Sequence, residues 1–442
     1  MTDLVFTVQP GGAIHGDFRV PGDKSISHRS IILGSIAEGI TTVEGFLEGE
    51  DSLATLKAFR QMGVEIDDVV DGKTTIRGVG MHGLQEPLGP LDLGNSGTAM
   101  RLMCGLLAAQ TFPSMLIGDE SLSKRPMGRV ANPLREMGAK IHLQEGGLAP
   151  IEISPGNLHP LVYDMPVASA QIKSCLLLAA LYTRPEDGPT EISEPAPCRD
   201  HTERMLRGFG YKVNTDGARI SLQGGGKLTG CHIDVPSDIS SATFFMVGAA
   251  IAEGSDILLR HVGINPTRIG VINILKAMGA DISLDNHQEV GGEPVADIRV
   301  RYAPLKGIAI PEDQVPLAID EFPALFIAAA CAEGTTVLSG AEELRVKESD
   351  RIQVMADGLT ALGVVNTVKS DGIVIEGQAG QTYGGGEINS HGDHRIAMAF
   401  TMAALKSSAP IIIHDCHNVA TSFPGFSALA TRAGITLDVA EQ

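Results

Sequence analysis

Residues 20–29 read Val-Pro-Gly-Asp-Lys-Ser-Ile-Ser-His-Arg, and an apolar run follows from Ser30 to Ala37. The pattern predicts a helix that begins beside Lys24, Ser25 and Arg29. The start of a helix has unpaired backbone N–H groups and a partial positive charge. With a lysine and an arginine beside it, this helix start is suited to hold an anion such as phosphate.

The same opening returns in the second half of the chain, where Val235-Pro236-Ser237-Asp238 resembles Val20-Pro21-Gly22-Asp23. Both helices that follow end in Ile-Ala-Glu-Gly, at residues 36–39 and 251–254. A chain of 442 residues is also longer than one hydrophobic core usually supports. The duplication therefore predicts two domains, with crossings near the two prolines. On this pattern the segment 1–20 could belong to either domain.

One repeat of about 70 residues recurs six times along the chain. Each copy begins with a small or polar cluster and an apolar helix. A strand, a second helix that ends at a glycine, and two more strands follow. The copies open at Lys24, Gly97, Ser169, Ser240, Asp320 and Arg395, and the last is shortened by the end of the chain. The pattern predicts an α/β fold of βαβαββ repeats, three in each domain, whose apolar first helices are buried with their amino-terminal ends on one face.

Two local patterns complete the fold prediction. Leu4 to Val20 is typical of a strand, a turn at Gly11-Gly12 and a second strand. The polar segment 285–294 is expected to be an insert that lengthens the fourth repeat.

Composition limits the partners that this chain can have. The formal net charge is −19, which argues against nucleic acid or an anionic membrane as the main partner. Tryptophan is absent, so platforms for stacking bases are not expected. The six cysteines form no Cys-x-x-Cys pair, and the amino terminus lacks the basic and then apolar pattern of a secretion signal. We therefore expect a cytoplasmic protein that does not bind membranes.

Cationic residues gather at two recurring places, the start of a first helix and the loop before a second helix. They are Lys24, Arg29, Arg125, Arg199, Lys347, Arg351 and Arg395. If both domains direct these places into one cleft, the cations would repel one another unless the ligands carry several negative charges. Two substrates with phosphate and carboxylate groups would meet that need. Asp320, Glu321 and Glu348 lie among the cations in sequence and are candidates for proton transfer, whereas the Ser240 opening adds no residue to the set.

These features also have purely structural interpretations. Asp320 could cap the helix that follows it, and the run from Lys347 to Arg351 could form an exposed, charged helix face. Residues 94–98 could be only a turn and an N-cap, although Gly97 would also let a ligand approach the backbone closely.

Three familiar kinds of site are not predicted. Gly22 to Ser25 lacks the spacing of a P-loop, and the glycine triplets at 224–226 and 384–386 lack the dinucleotide-binding fingerprint. The histidines at 391–394 and 414–417 form no coherent ligand set with residues elsewhere. We therefore expect neither a metal nor a cofactor.

With these residues in view, the sequence resembles the 5-enolpyruvylshikimate-3-phosphate synthase family of enolpyruvyl transferases. The segments that carry the resemblance are Pro21–Arg29, Gly94–Arg101, Lys124–Gly128, Ala168–Gln171, Arg199–Thr202, Asn265–Arg268, Asp320–Pro323, Leu344–Arg351, Asp393–Met398 and Ser422–Pro424. The resemblance spans the chain and implies a two-domain, inside-out α/β fold, with three βαβαββ repeats about a pseudo-threefold axis in each domain. It assigns 1–20 to the second domain, so the domains become 21–235 and 1–20 plus 236–442, with the active-site cleft between them.

The resemblance also implies a reaction of aromatic amino-acid (chorismate) biosynthesis and the residues that perform it. A monomer would transfer the enolpyruvyl group of phosphoenolpyruvate to the 5-hydroxyl of shikimate 3-phosphate and release phosphate. The residues implied for shikimate 3-phosphate are Lys24, Ser25, Arg29, Ser169, Ala170 (through its backbone, because some members have Ser there), Gln171, Arg199, Asp320 and Lys347. Those implied for phosphoenolpyruvate are Lys24, Gly97, Arg125, Gln171, Arg351 and Arg395, with Asn95 and His394 in support. Asp320 would take the hydroxyl proton, and Glu348 with Lys24 would serve the methylene carbon and the leaving phosphate.

Two alternatives and one departure complete this interpretation. UDP-N-acetylglucosamine enolpyruvyl transferase would have Lys-Asn at residues 24–25 and a cysteine in the loop near 118–125, and this chain has neither. A non-catalytic anion-binding protein would have no reason to keep Asp320 and Glu348 beside the cations. Thr421 occupies a position where many members have a lysine. The phosphate contact made by that lysine is therefore not inferred for this chain.

Overall fold

A computed structural model describes residues 3–441, so Met1 and Thr2 of the amino-terminal sequence discussed above, and Gln442, lie outside the described chain. The strands are β1 (Leu4–Val8), β2 (His15–Phe18), β3 (Glu38–Glu44), β4 (Glu65–Ile66), β5 (Thr74–Val79), β6 (Leu91–Asp92), β7 (Ser114–Ile117), β8 (Lys140–Gln144), β9 (Leu148–Ser154), β10 (Val162–Asp164), β11 (Thr190–Ser193), β12 (Val213–Asp216), β13 (Arg219–Leu222), β14 (His232–Asp234), β15 (Asp256–Gly263), β16 (Asp281–Val290), β17 (Glu293–Arg301), β18 (Thr335–Leu338), β19 (Asn366–Lys369), β20 (Gly372–Glu376), β21 (Gly386–Asn389), β22 (Ile411–His414) and β23 (Leu437–Glu441). The helices are α1 (Lys24–Ile36), α2 (Glu50–Gln61), α3 (Gly97–Leu107), α4 (Glu120–Ser123), α5 (Gly128–Glu136), α6 (Ala170–Ala180), α7 (His201–Gly208), α8 (Ile239–Ile251), α9 (Gly270–Ala277), α10 (Phe322–Cys331), α11 (Arg351–Ala361), α12 (His394–Ala403), α13 (Val419–Ser422) and α14 (Phe426–Ala433).

The chain divides into two compact units. The first unit comprises Gly22–Val235 and Glu289–Glu293. The second unit comprises the described chain up to Pro21, the segment Pro236–Gln288 and the described chain from Pro294 onward. Each unit is built from βαβαββ repeats with its own hydrophobic core.

Three four-stranded sheets make up the first unit, in the orders β14-β3-β5-β4, β6-β7-β9-β8 and β10-β11-β13-β12. In each sheet the first strand of the order given (β14, β6 or β10) pairs in parallel with its neighbour, and the remaining pairs are antiparallel. A parallel pair needs a crossover connection, and the first helix of the repeat supplies it between β6 and β7 and between β10 and β11. The predicted α/β repeat is therefore confirmed in this unit.

The second unit has sheets in the orders β16-β17-β15-β2, β18-β20-β19 and β21-β22-β1-β23. Isolated parallel bridges extend the three-stranded sheet, because Lys306 pairs with Glu333 and Ala309 with Val337. This unit therefore contains the same repeat three times.

The two strands predicted within residues 4–20 are present as β1 and β2. The chain between them bends at Pro10 and has positive φ at Gly11 and Gly12, but the two strands join different sheets. β1 lies between β22 and β23, and β2 pairs in parallel with β15. The last repeat is thus completed by β1 rather than left short. The polar segment 285–294 extends β16 and β17 on either side of Gly291 and Gly292.

The first helices form the centre of each core, as their composition predicts. Every residue of α8, α10 and α12 is buried, and these three helices contact one another. The second helices end where glycines permit a left-handed residue, which confirms the predicted helix ends. These glycines are Gly63, Gly138, Gly210, Gly279, Gly363 and Gly434, all with positive φ.

Candidate active site

The chemically rich residues of the second unit meet around the carboxylate of Asp320. Lys347 Nζ lies 3.2 Å from Asp320 Oδ1, and Arg351 Nη1 lies 3.3 Å from the same oxygen. Arg395 Nη1 donates to the backbone carbonyl of Asp320 at 3.0 Å. Asp320 does not cap α10, because the N-cap residue is Glu321 and no side chain accepts there. The carboxylate is oriented by cations instead, which suits a group that accepts a proton.

Arg351 is almost fully buried in this cluster, with 1% of its side chain exposed. It donates to Asp393 Oδ2 at 2.8 Å and to Glu348 Oε2 at 2.6 Å, in addition to its contact with Asp320. Burial by itself would lower the pKa of Arg351, but the three carboxylates outweigh it and raise that pKa above its ordinary value. The alternative of an exposed helix face from Lys347 to Arg351 is therefore wrong.

Asp393 connects this arginine to the start of α12. Its carboxylate accepts from the backbone N–H of Arg395 at 3.0 Å and from Ser349 Oγ at 3.0 Å, as well as from Arg351. His394 follows and is buried as the first residue of α12. Sequence reasoning gave Asp393 no role, although an aspartate directly before an apolar helix is a recognisable N-cap.

The first unit gathers its predicted site residues at the starts of α1, α3 and α6. At α1, Asp23 accepts from the backbone N–H of Ile26 and fixes the helix start. Lys24 Nζ lies 3.1 Å from Asp51 Oδ2, and both Lys24 and Ser25 are partly exposed. The lysine is thus held beside the helix start while it remains accessible.

Arg29 lies deeper than Lys24 and is held by polar groups of its own unit. Its guanidinium donates to Thr202 Oγ1 at 2.6 Å, to Ser174 Oγ at 2.8 Å and to the backbone carbonyl of Ser25 at 2.9 Å. Burial lowers the pKa of Arg29 to about 10. These contacts join α1 to α6 and α7, so Arg29 fixes the relative positions of three helices, two of which carry other predicted site residues.

Arg125 lies beside Asn95 and Gly97. The resemblance implies that all three residues serve phosphoenolpyruvate, which requires them to be close together. Arg125 Nη2 donates to Asn95 Oδ1 at 2.7 Å, and Asn95 Nδ2 donates to Asp119 Oδ2 at 2.7 Å. A Cβ atom at Gly97 would lie 3.3 Å from Arg125 Nη1 and 3.2 Å from Arg101 Nη1. The missing side chain therefore leaves room for two guanidinium groups at the start of α3.

The start of α6 is tied to α3 through a residue that sequence reasoning missed. Ser169 caps α6, and Gln171 in its first turn accepts from Arg101 Nη1 at 2.6 Å and donates to Thr98 Oγ1 at 3.0 Å. Ala170 follows the cap and is partly exposed. A single arginine within the otherwise apolar helix α3 was the signal that could have identified Arg101.

Arg199 lies in a loop that a buried lysine holds in place. Lys173 Nζ contacts Glu194 Oε2 at 2.9 Å, Glu203 Oε1 at 2.7 Å and the backbone carbonyl of Cys198 at 3.3 Å. Both ends of the segment that carries Arg199 are thereby attached to α6. Sequence reasoning missed Lys173, which lies in an apolar run that predicts only core packing.

His28 links the α1 start to two other helices of the first unit. Its Nδ1 lies 2.8 Å from Thr55 Oγ1, and its Nε2 lies 3.3 Å from Ser96 Oγ, the N-cap of α3. Burial, followed by the charges of Lys24 and Arg29, lowers the pKa of His28 to about 3. The folded protein therefore keeps this imidazole neutral at any pH above that value.

We expect His28 to make the folded protein less stable in mild acid. The unfolded chain binds a proton with a pKa near the ordinary 6.5, whereas the folded chain does not, so stability is lost as the pH falls below that value. Between pH 7 and pH 5 this one group should lower the free energy of unfolding by about 2 kcal/mol. Urea unfolding of wild type and His28→Asn across this range measures the difference. If the free energy of unfolding changes with pH in the same way for both proteins, the low pKa of His28 is contradicted.

Three further observations concern the described chain. Thr421 Oγ1 donates to the backbone carbonyl of Asn418 at 2.7 Å, so its hydroxyl serves its own helix. Within residues 3–441, no three His, Cys, Asp or Glu side chains are grouped closely enough to hold a metal ion. In the same part of the chain, no helix has both the length and the apolar character needed to cross a membrane.

Comparison with known proteins assigns the chain to a family. The family model of EPSP synthase (3-phosphoshikimate 1-carboxyvinyltransferase) matches residues 8–429. A 3-phosphoshikimate 1-carboxyvinyltransferase of Alkalilimnicola ehrlichii is 65% identical over 98% of this chain and 96% of the relative. One of Methylococcus capsulatus is 64% identical over 99% of both chains. The solved structure of EPSP synthase from Acinetobacter baumannii matches with a TM-score of 0.89 and 61% identity, covering 99% of this chain and 100% of the other. The chain therefore belongs to the EPSP synthase family of transferases.

Proposed function

We propose that this protein transfers the enolpyruvyl group of phosphoenolpyruvate to the 5-hydroxyl of shikimate 3-phosphate and releases phosphate. One observation carries the proposal: in a member of this family, Asp320 Oδ1 lies 3.2 Å from Lys347 Nζ and 3.3 Å from Arg351 Nη1. A carboxylate held in this way can receive a proton while cations beside it bind the acidic groups of the substrates. The names of the relatives support this reaction over transfer to a nucleotide sugar.

The reaction proceeds by addition and then elimination. In the addition, the 5-hydroxyl oxygen bonds to C2 of phosphoenolpyruvate, its proton passes to Asp320, and C3 gains a proton from Glu348. In the elimination, the new methyl group returns a proton to Glu348, the bond between C2 and the phosphate oxygen breaks, and the departing phosphate takes the proton that Asp320 had gained. Lys24 assists Glu348 because its positive charge stabilises the negative charge of the departing phosphate. Each proton and each bond is then accounted for by a group of this chain or of a substrate.

The tetrahedral intermediate explains why cations are needed from several helix starts. It carries two phosphate groups and two carboxylates, and fixed cations stabilise such charge better than mobile water does. We assign shikimate 3-phosphate to Lys24, Ser25, Arg29, Ser169, Ala170, Gln171, Arg199, Asp320 and Lys347. We assign phosphoenolpyruvate to Lys24, Gly97, Arg125, Gln171, Arg351 and Arg395, with Asn95 and His394 in support.

Phosphate release tests this proposal. The purified protein should release phosphate when both substrates are present and release none with either substrate alone. UDP-N-acetylglucosamine in place of shikimate 3-phosphate should give no phosphate. Release from phosphoenolpyruvate alone would identify a phosphatase, and release with the nucleotide sugar would identify the alternative transferase.

Replacement of Arg125 tests the assignment of phosphoenolpyruvate. Arg125→Ala should raise KM for phosphoenolpyruvate about tenfold or more, because it removes a charged hydrogen-bond donor from the anion. KM for shikimate 3-phosphate should stay within about twofold of wild type. The matched control is Lys124→Ala, which removes the neighbouring cation, whose side chain is 71% exposed and paired with Glu120. An effect confined to shikimate 3-phosphate would reverse the assignment.

A further inference from the structure

The start of α8 is the one first-helix opening that contains no predicted site residue, yet it has a buried polar network. Asp238 accepts from the backbone N–H of Ser240 at 2.8 Å and pairs with Arg268 Nη2 at 3.0 Å. The same Arg268 nitrogen donates to Ser240 Oγ at 2.7 Å. All three residues are at least nine-tenths buried. The α8 start is thus bound to the loop that leads into α9.

The hydroxyl of Ser240 carries this network on to the residue after Asp320. Ser240 Oγ is hydrogen-bonded to Glu321 Oε1, and Glu321 is 2% exposed. An arginine can only donate and an ionised carboxylate can only accept. The hydroxyl therefore accepts from Arg268 and donates its own proton to Glu321. This direction follows from the chemistry of the two partners alone.

Glu321 in turn lies against one of the cations assigned to phosphoenolpyruvate. Arg395 Nη1 is 3.6 Å from Glu321 Oε1, and the same nitrogen donates to the carbonyl of Asp320. Arg395 is thus held by two consecutive residues at the start of α10. Because Glu321 is itself fixed by Ser240, the hydroxyl at α8 controls where the guanidinium at α12 can lie.

Charge alternates along this path, which makes each member depend on its neighbours. Arg268 and Arg395 are the cations, and Asp238 and Glu321 are the carboxylates. A buried charge that loses its partner is strongly destabilised, so the carboxylate of Glu321 is kept close to both the hydroxyl and Arg395. Ser240 is the uncharged member, so its hydroxyl can be removed without leaving an unpaired charge.

We propose that Ser240 and Glu321 are positioning residues for phosphoenolpyruvate. The hydroxyl of Ser240, held by Arg268, orients the carboxylate of Glu321, and that carboxylate holds Arg395 in the place where it meets the substrate. Neither residue touches the reacting atoms. The inference rests on the proposed function, because it concerns the affinity for one of its two substrates.

Ser240→Ala tests the inference against a matched control in the same helix. The control is Thr243→Val, which removes a fully buried hydroxyl that donates only to the backbone carbonyl of Ile239 at 2.7 Å. Ser240→Ala should raise KM for phosphoenolpyruvate about fivefold, whereas KM for shikimate 3-phosphate should stay within about twofold of wild type. Thr243→Val should leave both constants within about twofold of wild type. A purely structural role would instead lower the melting temperature of both variants. It would not raise KM for phosphoenolpyruvate more than KM for shikimate 3-phosphate.

Glu321→Gln provides the second measurement, and it applies even if Ser240→Ala fails to fold. It keeps an oxygen that can accept from Ser240 but removes the charge beside Arg395, so KM for phosphoenolpyruvate should rise about tenfold with KM for shikimate 3-phosphate unchanged. If the variant changes both KM values equally, or changes neither, the inference is overturned. The proposed function still stands in that case, provided that the wild-type protein turns over both substrates. Absence of wild-type turnover with both substrates would overturn the proposed function and this inference together.

Discussion

Replacing Asp320 by asparagine should lower kcat by about a hundredfold or more, because it removes the group that accepts the proton of the attacking hydroxyl. Asparagine has nearly the same shape, and its amide oxygen can still accept from Lys347, which lies 3.2 Å from Oδ1 in wild type. Substrate binding should therefore remain measurable by titration calorimetry with shikimate 3-phosphate. Steady-state phosphate release gives kcat for the variant and for wild type.

Asp313→Asn is the matched control for this loss. Asp313 is exposed and lies in the short turn that precedes Asp320 in the chain, so its replacement should leave kcat within about twofold of wild type. Wild-type turnover by Asp320→Asn would exclude Asp320 as the base. A variant that has lost binding along with turnover would show that the carboxylate serves to hold the substrate.

Replacing Arg351 by methionine should both abolish turnover and destabilise the protein by about 3–5 kcal/mol. The guanidinium is 1% exposed and contacts Asp320, Glu348 and Asp393, so its loss leaves buried carboxylates without their counter-charge. Methionine fills much of the same volume, which limits the contribution of a cavity. Urea unfolding measures the change in stability, and phosphate release measures turnover.

Arg299→Met provides the comparison for an exposed ion pair. Arg299 donates to both carboxylate oxygens of Asp256, at 2.6 and 2.9 Å, but its side chain is 47% exposed. This control should lose far less stability than Arg351→Met, because water screens the pair. Equal losses at the two positions would mean that the burial of Arg351 contributes nothing to its role.

Features set by neighbouring residues could be predicted from the sequence. Gly63 and Gly363 mark the ends of second helices because a left-handed residue needs a glycine there, and both have positive φ. The burial of α8 follows equally directly, because apolar residues occur on every side of the helix. The repeat could be recognised because these local signals recur at a constant spacing.

Features set by distant residues could not be predicted in this way. Residues 4–20 have the pattern of two strands separated by a turn, but no local pattern shows that β1 takes its partners from the carboxy-terminal end of the chain. The charged run that ends at Arg351 is typical of an exposed surface, and its burial depends on distant partners such as Asp393, 42 residues later. Ser240 likewise gains its role from Glu321, 81 residues away. Such contacts depend on how the repeats pack, which no local pattern records.

The fate of the bridging oxygen of phosphoenolpyruvate tests the central claim most directly. Phosphoenolpyruvate labelled with ¹⁸O between C2 and phosphorus is incubated with shikimate 3-phosphate and the protein. The products are separated, and their masses are measured by mass spectrometry. Enolpyruvyl transfer breaks the bond between C2 and this oxygen, so the released phosphate should carry the label and the enolpyruvyl ether should not. Unlabelled phosphate together with labelled pyruvate would show that the phosphorus–oxygen bond breaks instead, and would contradict the account.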